Sequence, residues 1–470
     1  MRIPFAVQSY RGRSLPLSAQ QLVNLYPEKA PLDAKMPVVL YGTPGLKAFA
    51  SSVGTGPIRG MHVFKDTLCV VSGADFFTVD SSGTATNRGT VGGNGPVPMA
   101  DNGEELAIVA GPTLGETFVW DGSLTAISDS DFPGASDVTF MDGYLIFTKP
   151  NTDQFFLSGL NDATDYDALD IATAEGDPDD LVGCVNDHRE LWLFGKNTTE
   201  VWYNSGDSTF PFERISIGYI ERGCIARDSI VKEDNSLFWL GDDKIIYRAA
   251  GYVPQRVSTH AVENAIGGYA NPEDATAFSY TQEGHKFYCL SFDEATWVYD
   301  IASGTEGPLW HNRTGYDAIN KLFLNRWRAD NGIDAYGKNL VGDFESGKIY
   351  ELDLDTYQDD SQPIQARVTS PPIHADTKRM FFNRLQVEIE SGVGLTSGQG
   401  SDPQAMLDWT DDGGRTYSNE HWATMGKIGK NRWRLIWRRL GWSWERSFRL
   451  TITDPIKRVI IAANADVSTS

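Results

Sequence analysis

A near match to a phosphate-binding loop is the first segment of this chain whose residue types and spacing could do chemistry. It spans Gly342–Ile349 (GDFESGKI). Such a loop needs Ser or Thr after its Lys to hold magnesium, and a helix whose N-terminus faces the phosphates. Ile349 follows Lys348 here, and Ile349–Leu352 has the composition of a strand. We therefore interpret the segment as a hairpin between two strands.

A second candidate is Thr410–Tyr417 (TDDGGRTY), which matches the Asp-box pattern of sialidases. In sialidases this box is a folding device in a hairpin, away from the active site. A sialidase would repeat the box in several blades and add an arginine cluster for a carboxylate, and the sequence shows neither. Because Asp and Gly at a bend stabilise the turn itself, we interpret the box as a rigid turn.

The remaining His, Cys and carboxylate residues form no recognisable metal or catalytic motif. The seven His residues have no metal-ligand spacing, and neither HExxH nor GxSxG occurs. Four widely spaced cysteines are predicted to be buried reduced thiols: Cys69, Cys184, Cys224 and Cys289. The sequence therefore predicts no metal site, no cofactor and no enzymatic activity. A glycosidase-type carboxylate pair stays open as an alternative, because such residues meet only in three dimensions.

A basic and aromatic stretch is the most unusual part of the chain. Between Lys427 and Arg449 there are eight Lys and Arg residues, four Trp residues and one acid. Residues 432–438 alternate between basic and apolar types except at Ile436, which predicts a strand with one basic and one aromatic face. We favour a docking surface over a solvated sheet face or a nucleic-acid contact, because Arg and Trp dominate protein interfaces. The candidate interface residues here are Arg432, Arg434, Trp437, Arg438 and Arg439.

The charge of the chain is divided unevenly between its two ends. The formal net charge is −22. Residues 363–470 carry 15 Lys and Arg against 11 Asp and Glu, a net of +4, which leaves −26 for the residues before them. A strongly acidic surface repels nucleic acid on average and favours solubility. The asymmetry indicates two regions with different partners.

Membrane insertion and secretion are not expected from this sequence. No apolar run reaches the roughly 18 residues that a membrane-spanning helix needs. The stretch Met1–Gln8 carries one positive charge, but its apolar part is too short for a signal peptide. We expect a protein without membrane contact that is made and folded in a cytoplasm.

A repeat of paired apolar strands predicts a β-propeller. In each unit a short apolar strand is followed by a turn and an aromatic-rich strand, as in Leu191–Phe194 and Val201–Tyr203. The first strands recur at spacings of 38, 38, 47, 46, 50 and 52 residues, marked by Val70, Ile108, Ile146, Leu193, Trp239, Cys289 and Val341. Strand repeats of roughly 40–50 residues are typical of propeller blades. Six units are clear and a seventh is weaker, and a pair of β-sandwiches is the rival architecture.

The turns of the repeat carry a signal of their own. In four units an Asp closes the second strand: Asp80, Asp121, Asp300 and Asp353. A carboxylate in that position can accept hydrogen bonds from its own turn backbone.

The predicted fold class is all-β, with a β-propeller-like region of six or seven blades followed by a β-sandwich domain. We place the propeller at residues 51–362 and the sandwich at residues 363–470, where prolines mark the junction. Longer strands are expected in the sandwich at Phe381–Glu390, Gln404–Trp409, Phe448–Thr453 and Arg458–Ala462.

Residues 1–50 lack the repeat and are predicted to be an N-terminal arm that closes the last blade or embraces a neighbouring subunit. Within this arm Ser18–Leu25 is predicted to form a short helix. Pro27 and Pro31 follow it, and Val38–Tyr41 is predicted to be a strand.

Several motifs in order along the chain resemble one protein family, the tail hub or nozzle proteins of short-tailed bacteriophages, also called packaged-DNA stabilisation proteins. The segments Asn24–Glu28 and Leu40–Leu46 resemble the opening of that family, and Ser346–Leu352 resembles its last repeat. Trp437–Gly441 and Asp454–Arg458 resemble its C-terminal domain. Within the opening motif, Asn24 and Tyr26 are added to the candidate interface residues.

The resemblance implies a structural protein of the virion tail, assembled in the host cytoplasm. It implies a homo-oligomeric, hexameric ring below the portal and its adaptor protein. Such a ring would continue the DNA channel, help retain packaged DNA without binding a DNA sequence, and hold tailspikes or fibres and a needle. The alternative is a carbohydrate-binding or carbohydrate-active, sialidase-like propeller, which the Trp-rich strands and the Asp box would fit.

Overall fold

A computed structural model describes residues 1–31, 33–174, 176–303 and 307–470 of the chain. Its first large part is a ring of seven antiparallel four-stranded blades. Blade 1 consists of Ile58–Phe64, Thr67–Ser72, Asp75–Val79 and Ala85–Thr90. Blade 2 consists of Met99–Asp101, Leu106–Val109, Thr117–Trp120 and Leu124–Ala126. Blade 3 consists of Asp137–Met141, Tyr144–Thr148, Gln154–Leu157 and Ile171–Thr173. The predicted fold class, a propeller followed by a sandwich, is confirmed.

Blades 4 to 6 also consist of consecutive strands, and blade 7 takes its fourth strand from the N-terminal segment. Blade 4 consists of Leu181–Asp187, Glu190–Gly195, Thr199–Asn204 and Phe212–Ile220, and blade 5 of Val231–Glu233, Ser236–Leu240, Ile246–Ala250 and Val253–Arg256. Blade 6 consists of Thr276–Gln282, His285–Ser291, Thr296–Asp300 and Trp310–Arg313. Blade 7 consists of Ala329–Ala335, Lys338–Asp343, Ile349–Asp353 and Gly45–Ala50.

Short helices lie only in the connections of the described chain. The α-helix His260–Ile266 links blades 5 and 6, and it is accompanied by three 3-10 turns at Arg227–Ser229, Pro272–Asp274 and Ile301–Ser303. The α-helix has seven residues, so no helix in the described ranges has the length and apolar character to cross a membrane.

Apolar side chains on both faces of each blade hold the ring together. Leu191, Trp192, Leu193 and Phe194 in blade 4 are all buried. The even-numbered side chains of this strand pack toward blade 5 and the odd-numbered ones toward blade 3. A strand covered on both faces needs this unbroken apolar composition, which explains why the repeat is visible in the sequence. The four cysteines are buried and free, as predicted.

The ring is closed by Gly45–Ala50, which pairs with Ile349–Asp353 in blade 7. Leu46 stands opposite Leu352, and Lys47 stands opposite Glu351. Gly45 is required here, because a Cβ atom would collide with the carbonyl oxygen of Thr356. Without this strand blade 7 would have three strands and an open edge.

The second part of the chain is a sandwich of two sheets with one apolar core. The first sheet contains Ala366–Thr369, Glu445–Ile452, Gln404–Thr410 and His421–Thr424, with Ile373–His374 paired to its long strand. The second contains Leu25–Lys29, Val38–Gly42, Val459–Thr469, Met380–Ile389 and Leu435–Arg438, with Trp442–Ser443 paired to Met380–Ile389. Leu385 and Val387 face Leu407 and Leu450 across the core.

The N-terminal segment joins the two parts. Leu22–Val23 lies between the last strand of blade 6 and Ala366–Thr369, so that one continuous sheet runs from the propeller into the sandwich. The amino group of Met1 donates to the carbonyl of Ala465 at 2.7 Å, and Ile3 N donates to Ala463 O at 2.9 Å. The first 50 residues therefore contribute strands to blade 7 and to both sandwich sheets.

The predicted helix at Ser18–Leu25 is wrong. The chain forms the short strands Ala19–Gln20 and Leu22–Val23 there, since lateral pairing satisfies the backbone of Leu22 and Val23 on both sides. The remaining short strands are Tyr10–Arg11, Tyr316–Asp317, Leu322–Phe323, Gln358–Asp359 and Gln362–Pro363. The strand predicted at Val38–Tyr41 is confirmed.

Deleting Met1–Ala30 is expected to prevent the chain from folding, because it exposes the edges of blade 6 and of both sandwich sheets. Soluble yield, circular dichroism and the thermal unfolding midpoint measure the effect. The double substitution Arg11→Ala and Arg13→Ala, at exposed positions of the same segment, is the matched control and should unfold like the wild type. A truncated chain with wild-type unfolding would contradict the expectation.

Candidate docking surface and the propeller axis

The exposed arginines of the C-terminal stretch lie along one edge of the second sandwich sheet. Arg438 stands directly opposite Arg384 in the neighbouring strand, and both side chains are exposed. Like charges in directly opposed positions destabilise a sheet. Within the described chain neither guanidinium has an ion-pair partner within 4.0 Å, although Asp466 stands across from Arg384 in the next strand. This edge is therefore suited to receive carboxylates from another molecule.

Three further arginines extend this edge. Arg432 is exposed in the turn before the strand, and Arg439 is exposed immediately after it, with a left-handed φ of 59°. Arg434 is exposed, and its Nη2 lies 3.8 Å from Glu388 Oε1, a nitrogen–oxygen distance at the outer limit of an ion pair. Surface pairs of this kind contribute about 0–1 kcal/mol. We call Arg432, Arg434, Arg438 and Arg439 the arginine edge.

Exposed aromatic side chains flank the arginine edge. Trp433 is 36% exposed, Trp442 49% and Trp444 50%. The Arg379 guanidinium lies 4.7 Å from the ring centre of Trp442 and 5.3 Å from that of Trp444, which holds both rings in place. Large aromatic rings beside arginines are enriched at protein interfaces, where they bury much area at a small entropic cost.

Trp437, Asn24 and Tyr26, the other candidate interface residues, are buried within the chain. Trp437 faces the sandwich core, and its indole N–H donates to the carbonyl of His421 at 2.8 Å. The Tyr26 ring packs edge-on against His285 and Phe287, and burial raises the pKa of its hydroxyl. These three side chains stabilise the fold, so the surface considered below is the arginine edge with its exposed tryptophans.

Asn24 connects the propeller to the sandwich. Its amide Nδ2 donates to the carbonyls of Thr314, next to blade 6, and Gln365, next to the sandwich, at 3.0 and 2.9 Å. Its Oδ1 accepts from Thr314 N at 3.1 Å. The residue has a left-handed φ of 53°, a conformation that Asn tolerates better than most residues.

Replacing Asn24 is expected to loosen this connection. Asn24→Ala leaves buried backbone groups unpaired, and the free energy of unfolding should fall by about 1–3 kcal/mol for each group that finds no new partner. Asn24→Asp, of equal size, keeps the acceptor for Thr314 N but turns a carboxylate oxygen toward the two carbonyl oxygens, so it should lose stability as well. Urea unfolding measures both variants. An Ala variant as stable as the wild type would rule out this role.

Two other basic residues of the stretch lie outside the arginine edge: Arg446 is buried and Arg449 is half-buried. Arg446 makes a two-pronged ion pair with Asp411, with both distances 2.7 Å, and lies beneath the rings of Phe382 and Trp409. Arg449 forms a similar pair with Asp408. Neither pair can be recognised from the local sequence, because the partners are 35 and 41 residues apart.

The Asp box forms a rigid turn, as predicted. The Asp412 carboxylate accepts from the backbone N–H groups of Arg415 and Thr416, both at 2.9 Å, and from the hydroxyl of Thr410 at 2.7 Å. The hydroxyl of Thr416 donates to the same carboxylate at 2.6 Å, and this bond, more than the others, lowers the pKa of Asp412. The phosphate-loop-like segment is likewise a hairpin, in which Gly342 pairs with Ile349.

A cavity of about 400 Å³ lies on the axis of the propeller, lined by blades 1, 3, 4, 6 and 7 and by the connections that lead into blades 2 and 5. Its walls carry charges of both signs: Asp137, Arg227, Asp228, Arg326 and Asp330. Arg227 pairs with Asp228 at 2.9 Å and donates to the carbonyl of Ser136 at 2.6 Å, which connects blade 5 to blade 3. Arg326 lies 3.2 Å from Asp330. The two ion pairs compensate charge inside the axis, and the hydrogen bond from Arg227 to Ser136 connects blades.

The axial Asp137 makes the stability of the propeller depend on pH. Burial is the main reason that its pKa is raised to about 6. The unfolded pKa is about 3.9, so the folded state binds the proton more tightly, and this contribution to stability is lost as pH rises through about 6. We expect the wild type to lose stability relative to Asp137→Asn between about pH 4 and 7. Urea unfolding of both proteins across this range measures the difference, and parallel pH profiles would contradict it.

No group of three or more His, Cys, Asp or Glu side chains suited to a metal ion occurs among the residues the structure describes.

Both domains, the propeller and the sandwich, match models of a single family of phage tail structural proteins. Residues 1–357 match a family model described as bacteriophage P22 Gp10, beta-propeller, and residues 365–468 match one described as bacteriophage P22 Gp10, beta-sandwich. The chain belongs to the bacteriophage P22 Gp10 family of tail nozzle and stabilisation proteins. The family resemblance of its sequence motifs is confirmed.

The solved structures that align with this chain share little of its sequence. The computationally designed Ika8 protein aligns with a TM-score of 0.40 at 11% identity, covering 66% of this chain and 99% of that one. Virginiamycin B lyase from Staphylococcus aureus aligns with a TM-score of 0.45 at 11% identity, covering 65% and 97%. The extracellular domain of BT4673 from B. thetaiotaomicron aligns with 0.44 at 11% identity, covering 84% of this chain and 48% of that one. Comparison with curated proteins finds no match.

Proposed function

We propose that the chain is a subunit of the hexameric nozzle ring of a short phage tail. The ring lies below the portal and its adaptor, continues the DNA channel, helps to retain packaged DNA, and holds tailspikes or fibres and a needle. The observation that carries this proposal is the match of both domains, over residues 1–357 and 365–468, to one tail protein family. Electron cryomicroscopy of purified virions tests it. A six-fold ring of this fold below the adaptor is expected, and its absence from the tail would overturn the proposal.

The protein works by binding other macromolecules and not by catalysis. The Asp box is used for its own turn, and the axial carboxylates Asp228 and Asp330 are each paired with an arginine. Incubation of the purified protein with surface polysaccharide of the host provides the check. Release of sugars over time would favour the carbohydrate-active alternative and contradict this part of the proposal.

The separated charges give the two domains different tasks. Each phosphate contact from Lys or Arg adds salt-dependent affinity for DNA, which would hinder DNA movement along a channel. A net of −26 before residue 363 suits a wall that DNA slides past. The basic sandwich then faces protein, where several ion pairs and exposed Trp rings together fix orientation and accelerate docking.

The arginine edge is expected to be necessary for assembly and unnecessary for folding. Changing Arg432, Arg434, Arg438 and Arg439 together to Glu should abolish incorporation into tails, because the edge then repels the carboxylates that it binds. The thermal midpoint should stay close to the wild type, since all four side chains are exposed. Tail incorporation in a complementation assay measures the first effect and calorimetry the second.

A matched control keeps the same change of charge at exposed positions elsewhere. It replaces Arg11, Lys321, Lys378 and Arg415 with Glu. Normal incorporation of the control together with loss of the edge variant supports the assignment. Equal incorporation of both variants would show that the edge has no part in assembly.

The isolated protein is expected to bind duplex DNA poorly at physiological salt. Its net charge of −22 repels the phosphates, and a net positive charge occurs only in residues 363–470. Fluorescence anisotropy with labelled duplex over a range of salt concentrations measures the affinity. Tight binding that falls steeply with salt and is lost in the arginine-edge variant would show that this surface holds DNA and that the two surfaces are assigned the wrong way round.

A further inference from the structure

An acidic loop with exposed leucines projects from blade 3. Residues 153–180 carry nine Asp and Glu and no Lys or Arg. The connection between Gln154–Leu157 and Ile171–Thr173 exposes Asp162, Asp165 and Asp167, and it also exposes 62% of Leu160 and 81% of Leu169. Apolar side chains exposed to this degree within a cluster of carboxylates form a surface that is both adhesive and negatively charged. We call residues 158–170 the acidic loop.

The acidic loop is held in shape by its own residues. Tyr166 is buried, donates from its hydroxyl to the carbonyl of Ala163 at 2.8 Å, and packs on Phe132 at 4.8 Å. The carboxylates of Asp162 and Asp167 accept from the backbone N–H groups of Thr164 and Leu169, both at 2.9 Å. Because the loop is already ordered, a partner that binds it loses little conformational entropy on docking.

The acidic loop and the sandwich that carries the arginine edge are attached at opposite sides of the propeller ring. The sandwich is attached through Leu22–Val23 to blade 6, and the N-terminal segment continues into blade 7. In a closed ring of seven blades, blade 3 is three steps from blade 6 in one direction and three steps from blade 7 in the other. Among the described residues no hydrogen bond, ion pair or strand pairing links residues 137–173 to the sandwich strands. The two surfaces can therefore meet only between molecules.

We propose that the arginine edge of one copy of this chain docks on the acidic loop of a second copy. Arg438, Arg439 and their neighbours meet the carboxylates of Asp162, Asp165 and Asp167, and the exposed Trp rings beside the edge cover Leu160 and Leu169. The proposal deepens the ring function and rests on it, since it names the second copy, and not the adaptor, as the partner of the basic surface.

The position of the two surfaces determines the kind of assembly. Each copy offers one surface of each type on opposite sides, so every contact is heterologous, head to tail. Repetition of such a contact produces a ring if the rotation between neighbours closes and a filament if it does not. A self-complementary two-fold dimer through one surface alone is disfavoured, because it would place arginines on arginines or carboxylates on carboxylates.

Charge reversal of each surface tests the proposal in solution with the full chain. The edge variant carries Arg432→Glu, Arg434→Glu, Arg438→Glu and Arg439→Glu. The loop variant carries Leu160→Lys, Asp165→Lys, Leu169→Lys and Asp170→Lys, which turns the net charge of residues 158–170 from −4 to +2. It keeps Asp162 and Asp167, whose carboxylates hold the loop. A matched control changes Leu17, Val253, Glu273 and Asp274, exposed positions elsewhere, to Lys.

Sedimentation velocity over a rising protein concentration measures self-association at about 0.15 M and about 1 M salt. We expect the wild type and the control to associate at the lower salt, and each variant alone to associate at least about tenfold more weakly. An equal mixture of the two variants should associate again, because the reversed edge then meets the reversed loop. Rescue in the mixture is an effect that misfolding of either variant would not produce.

Carbodiimide cross-linking of a mixture of unlabelled and ¹⁵N-labelled protein identifies the contact directly. Links between Lys427 or Lys430 and Asp165, joining heavy to light chains, are expected. A wild type that stays monomeric at every concentration and both salts, or variants that associate like the wild type, would overturn the proposal. An edge variant that self-associates normally and fails only to attach to the adaptor would assign the surface to the adaptor. In either case a nozzle ring seen in virions would leave the proposed function standing.

Discussion

The pairing of the N-terminal segment with three separate sheet edges is the constraint on which this structure depends. In this chain the last blade receives its closing strand from the other end, because Gly45–Ala50 pairs with Ile349–Asp353 of blade 7. The same segment fills the gap between blade 6 and the sandwich with Leu22–Val23. Since unpaired backbone groups at a buried edge are costly, neither domain satisfies its own hydrogen bonds without the first 50 residues. Propeller and sandwich are therefore expected to fold as one cooperative unit.

Buried arginines secure the junction that this segment creates. Arg458 is 2% exposed and donates from Nη1 to the carbonyl of Ile364 at 2.7 Å, which ties the strand Val459–Thr469 to the start of the sandwich. Arg313, at the end of blade 6, is fully enclosed by the rings of Tyr280, Phe287 and Trp327. Moving a cation with few partners from water into the protein interior costs free energy. Such a site therefore forms only when several strands together place the groups that surround the cation. These arginines stabilise the arrangement of the domains and are not available to partners.

The sequence predicted those features whose cause is local. The repeat was visible because strands such as Leu191–Phe194 are covered on both faces, and the turns were visible because Asp80 and Asp353 bind the backbone two residues onward. Asn24 looked like an interface residue, since its partner Thr314 is 290 residues away and nothing in the local sequence indicates burial. The helix prediction at Ser18–Leu25 was wrong for a similar reason. The strands that form there have two residues each, which is too short to show the alternating pattern of apolar and polar residues that identifies a strand. Within the stretch Lys427–Arg449, an arginine is exposed or withdrawn from the surface depending on whether a carboxylate distant in sequence pairs with it.

The uneven distribution of charge also governs how copies of the chain approach one another. Two molecules with a net charge of −22 repel at long range, and this repulsion acts between centres that are much farther apart than the Debye length of about 8 Å at physiological salt. Carboxylates and guanidinium groups in contact are only a few ångströms apart and are screened less. Salt therefore removes the repulsion at lower concentration than it removes the local attraction between the arginine edge and the acidic loop. A head-to-tail contact of this kind should be strongest at intermediate ionic strength, where it forms only when the two complementary surfaces face each other.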